Sequence, residues 1–188
     1  MRSALLVVLA CGTAAAGPRY GLGRAPTTAE LATADISISP TGVGLPEGHG
    51  TGREGEAVYL ARCAGCHGLH GQGLGDFPAL VGGRGTLASR SPVLTVGSYW
   101  PFATTLFDYI RRAMPYTSPG TLSTDDIYAV AAFILVENAI IPPDFVVDAR
   151  TLPRIVMPNA GGFRADPRPD VAPPSTPSSP LREGTLRP

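Results

Sequence analysis

The segment Cys63-Ala64-Gly65-Cys66-His67 constrains this chain more than any other part of it. Two thiols three residues apart can each add to one of the two vinyl groups of a haem, and the adjacent His67 is then placed to give an imidazole nitrogen to the iron. A domain that carries such a group must leave it an apolar cleft. The haem then supplies much of the core, so the apo form is expected to be poorly folded. Two other chemistries use a Cys-x-x-Cys pair. A redox dithiol of the thioredoxin kind expects a βαβ context, whereas here a helix leads in and a Gly-rich loop leads out. Zinc needs two further ligands, and the chain has no second Cys pair and no paired-His motif.

The third cysteine, Cys11, belongs to a stretch with the features of an export signal. Arg2 gives a positive start, Ala4 to Ala10 is apolar, and Ala14-Ala15-Ala16 offers small residues for cleavage before Gly17. Residues 1–16 are therefore expected to be a signal peptide. Val8-Leu9-Ala10-Cys11 also resembles a bacterial lipoprotein box, in which Cys11 would become a lipidated first residue; simple cleavage is the preferred reading. The apolar run is too short to span a bilayer. The protein is expected to be periplasmic, or lipid-anchored facing the periplasm, with membrane contact only if Cys11 is lipidated.

Fifteen basic residues, every one an Arg, balance fifteen acidic ones, so no broad attraction to nucleic acid is expected. With no Lys, no lysine amine is available as an iron ligand, and a docking patch would be built from guanidinium groups. The 23 Gly and 20 Pro are many for a tightly packed helical chain and point to loops, arms and a tail.

Residues 17–52 have few large apolar side chains and no clear period and are expected to form an extended arm; the alternation over Asp35-Ile36-Ser37-Ile38-Ser39 hints at a short strand. Residues 53–141 carry the helical pattern. Arg53 to Arg62 runs straight into the Cys pair, and residues 68–98 are mostly loop. Ala103 to Arg112 places Leu106, Phe107 and Ile110 on one face with an Asp108–Arg112 pair. The clearest helix spans Thr124 to Asn138, capped by Ser123 or Thr124, with Ile127, Val130, Ala131, Ile134 and Leu135 at helical spacing. Gly55 and Tyr59 could meet this last helix in a close crossing. Residues 142–165 are expected to be an ordered extension, and 166–188, rich in Pro, Ser and Arg with almost nothing to bury, a disordered tail.

Four residues are candidates for the sixth iron ligand: Met114, Met157, His49 and His70. His70 follows His67 too closely to reach the opposite haem face, and His49 would need the arm to fold across the pocket. Met114-Pro115, in a loop before the last helix, resembles the class I cytochrome c pattern. Met114 is therefore the favoured ligand and Met157 the alternative, although a Met filling a core gap fits Met157 better. A thioether raises the reduction potential relative to bis-histidine ligation and closes the iron to substrate. Pro78 resembles the class I proline whose carbonyl accepts the proximal imidazole N–H. Arg84, Tyr99 and Trp100 are candidates to hydrogen-bond the haem propionates.

The stretch Val96-Gly97-Ser98-Tyr99-Trp100-Pro101-Phe102-Ala103-Thr104-Thr105-Leu106-Phe107-Asp108-Tyr109-Ile110-Arg111-Arg112-Ala113-Met114-Pro115 resembles the cytochrome c subunit of sulfite dehydrogenases, in particular that of the Sox sulfur-oxidation system. Tyr20 to Arg24, Gly42 to Gly48, Thr151-Leu152-Pro153 and Met157-Pro158-Asn159 are similar to the same family. The resemblance implies an all-α, small class I cytochrome c fold with one covalent haem c, an extended N-terminal arm and a Pro-rich C-terminal tail. It also implies a molybdenum-cofactor subunit as electron donor and a soluble cytochrome as acceptor. Two further readings are a free-standing periplasmic carrier and, from a different class, a haem enzyme such as a thiosulfate dehydrogenase.

Overall fold

In the computed structural model the described residues are 22–164 and Arg168. The export-signal expectation, Cys11 included, and the tail after residue 165 apart from Arg168 fall outside them. The chain divides after Ile36 into two units.

The described part of the first unit holds one helix, α1 (Thr28–Ala34). Thr27 accepts from the Glu30 N–H, the Glu30 carboxylate accepts from the Thr27 N–H, and Arg24 pairs with Glu30. Within the stretch read as an arm, this capping box starts a short helix where apolar content is too low to show a period. Asp35 to Ser39 does not form the short strand that its alternation hints at.

The second unit is built around α5 (Thr124–Glu137). Ser123 and Asp126 cap each other's backbone at its start, and every residue from Ile127 to Leu135 is buried. A helix apolar on all sides has to be surrounded. Helix α2 (Gly52–Arg62), capped by Thr51 and Glu54, crosses it where Gly55 admits the Ala129 carbonyl, and Tyr59 packs on Phe133 at a ring distance of 4.7 Å. Helix α4 (Ala103–Ala113) covers another side through Ala103, Leu106, Phe107 and Ile110, with Phe107 on Tyr128 at 4.4 Å. Its Asp108–Arg112 pair is formed at 2.9 Å.

A third side is closed by two short strands. β1 (His49–Gly50) pairs antiparallel with β2 (Val147–Asp148), joining the segment before α2 to the segment after α5. Gly50 lies so close to α5 that a β-carbon there would fall 2.4 Å from the Ala129 nitrogen. Beyond β2, a 3₁₀ turn at Leu152–Arg154 buries Leu152 completely. Helix α3 (Ala64–His67), a single turn, follows α2 across Cys63 and carries the Cys-x-x-Cys-His segment. Among the described residues no helix is long and apolar enough to cross a membrane.

Candidate haem site

The motif turn is fixed from three sides. Tyr59, fully buried on α2, donates its hydroxyl to the Gly68 carbonyl at 3.0 Å. Gly68 donates to Ala64 O at 2.9 Å, and Gly73 N–H donates to His67 O at 2.8 Å. Gly68 has φ 79° and Gly73 φ 85°, left-handed conformations that glycine adopts without a side-chain clash.

His67 Nδ1 lies 3.0 Å from the carbonyl oxygen of Pro78. A carbonyl can only accept, so Nδ1 carries the proton and Nε2 keeps its lone pair for a metal. Cys63 and Cys66 are half-buried free thiols. Burial is the largest effect on Cys63 and pushes its thiol up to about 11. Among the described residues no three His, Cys, Asp or Glu side chains converge as a metal cluster would require, so the zinc reading has no ligand set here.

The two methionine candidates sit differently. Met114 caps the end of α4, half-buried, with a cis bond to Pro115. Met157 is 2% exposed inside the apolar core, beside the Phe102–Val156 bridge. His49 is exposed, and its backbone N–H donates to Asp125 at 2.8 Å. His70 is exposed as well and pairs with Glu137 at 3.0 Å.

Arg84, Tyr99 and Trp100 each make a different contact. Exposed Arg84 borders a hollow of about 270 Å³ shared with Ser98, Pro158 and Asn159. Tyr99 stacks edge-on against Phe163 at 5.3 Å, and its carbonyl accepts from Asn159 at 2.7 Å. Trp100 meets Tyr109 edge-on at 5.9 Å.

The chain shows 39% identity to a solved chain in the crystal structure of the sulfane dehydrogenase SoxCD from Paracoccus pantotrophus, with a TM-score of 0.74 over 86% of this chain and 83% of that one. The chain belongs to the class I c-type cytochromes. Residues 50–134 match the family described as cytochrome c oxidase, cbb3-type, subunit III. A 90-residue stretch is 33% identical to a thiosulfate dehydrogenase of Allochromatium vinosum, covering 45% of this chain and 30% of that protein.

The cytochrome carries haem c covalently, and the residues present fit the group. Two free thiols flank one turn, an imidazole is oriented by a carbonyl with its second nitrogen available, and a half-buried thioether lies at the end of α4. Between His67 and Met114, Leu69, Leu74, Phe77, Val93, Leu94 and Phe102 are each between 41% and 60% exposed, while the core around α5 is closed. Apolar side chains left open on this stretch of chain could take up the apolar surface of a porphyrin. When bound, haem iron supplies one-electron redox chemistry. The protein's own part would be to hold the imidazole with the Pro78 carbonyl and to brace the motif turn with the Tyr59 hydroxyl.

Two residues that hold backbone near the motif are not evident from the motif itself: Tyr59, through its hydroxyl, and Asn138, through its side-chain amide. A Tyr four residues before the first motif Cys is a signal that sequence reading could use. Asn138, at the end of a helix, looks like an ordinary cap.

Proposed function

We propose that this cytochrome is the single-haem electron-transfer subunit of a molybdenum-dependent sulfite or sulfur dehydrogenase. In this reading it takes electrons one at a time from the molybdenum subunit and passes them to a soluble cytochrome in the periplasm. The observation that carries the reading is the 39% identity to the SoxCD chain, sustained over 86% of this one. Likeness over that length takes in the segments before α2 and after α5 as well as the haem-binding domain. Those flanking segments, joined by the β1–β2 pair, suit contact with a larger subunit.

Cys63 and Cys66 form the thioethers, His67 is the proximal ligand and Met114 the distal one. Pro78 orients the imidazole, and Arg84, Tyr99 and Trp100 are assigned to the propionate side. A filled sixth position favours relay over catalysis at the iron, which sets this reading apart from a haem enzyme in its own right. The half-burial of Met114 against the complete burial of Met157 supports the choice of ligand.

The test is metal analysis of the protein purified natively from its source under gentle conditions. Molybdenum co-eluting with haem iron near one to one supports the complex. A haem protein that elutes alone and free of molybdenum under the same conditions points to a free-standing carrier.

A further inference from the structure

Pro78 lies in a stretch without regular secondary structure, yet its carbonyl is held against His67. The residues just beyond it are anchored by a dense set of hydrogen bonds. Leu80 and Val81 both donate to Gly71 O, at 2.7 and 3.0 Å. Asn138, only 7% exposed, reaches the same segment from the end of α5. Its Nδ2 donates to Leu80 O at 3.1 Å, and its Oδ1 accepts from Gly82 N–H at 3.2 Å. Thr95 completes the hold by donating its hydroxyl to Gly82 O at 2.6 Å.

A residue that only capped α5 would need only the bond from Asn138 Nδ2 to Ile134 O, present at 2.9 Å. The two other bonds are spent on the loop, much as a neighbouring strand would pair with it. Gly97 leaves room for this, since a β-carbon there would fall 2.0 Å from Asn138 Oδ1.

We infer that Asn138 is a positioning residue for the proximal ligand: by fixing residues 80–82 it keeps the Pro78 carbonyl on His67 Nδ1–H. This rests on the assignment of His67 as the ligand. A hydrogen bond at Nδ1 raises the basicity of the imidazole and favours ferric iron. Loosening the loop weakens that bond and moves the reduction potential upward.

The experiment uses the full haem-loaded chain and compares Asn138→Ala, Thr95→Val and Ser123→Ala. The last removes the cap at the far end of α5 and touches nothing in the loop. Two quantities are read: the midpoint potential, and the solvent exchange of the His67 ring N–H in the ferrous protein by NMR. Asn138→Ala is expected to raise the potential and to speed exchange about tenfold, the loss of roughly one buried hydrogen bond. Thr95→Val should shift both in the same direction by less, and Ser123→Ala should lower stability while leaving both unmoved. Unchanged readings in Asn138→Ala, or an equal shift in Ser123→Ala, overturn the inference. If Asn138→Ala attaches no haem, the same two readings on Thr95→Val decide. A ring N–H of His67 that shows no haem-induced shift in the unaltered protein would instead overturn the ligand assignment, and the inference with it.

Discussion

Gly55 of α2 lies so close to the Ala129 carbonyl of α5 that a β-carbon on Gly55 would sit 1.9 Å from that oxygen. The helix that leads into the haem motif is thereby set directly on the helix at the centre of the fold. Gly55→Ala should destabilise the haem-loaded protein by about 1–3 kcal/mol, seen as a lower Tm. Gly161→Ala, at an exposed position after α5 with nothing within 4 Å of the added carbon, is the control and should leave Tm nearly unchanged.

Helix α5 ends in a Schellman arrangement, with Ala139 N–H on Val136 O at 2.7 Å and Ile140 N–H on Leu135 O at 2.9 Å. The residue in the left-handed position is Ala139, exposed, at φ 52°. Ala139→Gly removes a steric cost and should stabilise the protein by roughly 0.5–1 kcal/mol. Denaturant melts of the two proteins would show a higher midpoint at an unchanged slope.

The sequence made α5 legible because its cap, its acidic first turn and its apolar spacing agree. The spacing marks one face only; burial of Tyr128, Ala129, Ala132 and Phe133 shows that neighbours surround the helix. The haem motif and the turn of Pro78 were equally plain, since their chemistry is local. Pairing of His49 with Asp148 was not, because two-residue strands far apart in the chain leave no periodic trace. Helix α1 had a visible capping box in Thr27 and Glu30, but its composition pointed to an extended arm. Asn138 was hidden for another reason: its role depends on a loop brought to it by folding.

Tyr128 is fully buried and donates to Pro46 O at 2.9 Å. Burial, with a smaller contribution from Asp148, pushes its hydroxyl up to about 12, whereas an unfolded tyrosine titrates near 10. Between those values the unfolded chain loses a proton that the folded chain keeps, so stability is intact below pH ~10 and falls as pH rises toward ~12. Melts across that window should show the decline, and Tyr128→Phe should make it shallower without abolishing it, because burial pushes the Tyr59 hydroxyl up to about 12 as well. A decline of equal slope in Tyr128→Phe would assign it elsewhere.

The methionine-to-iron charge-transfer band of the ferric protein should vanish in Met114→Ala and persist in Met157→Ala. Met157→Ala should instead cost about 2–5 kcal/mol of stability, because its side chain fills the core. Loss of the band in Met157→Ala alone would reverse the assignment.

The most direct test of the electron-relay reading is the visible spectrum of the oxidised haem before and after sulfite is added. One preparation is the natively purified complex and the other is the isolated chain. The account predicts rapid reduction in the complex and none in the isolated chain. Reduction of the isolated chain by sulfite would contradict it and place the oxidation chemistry at the haem itself.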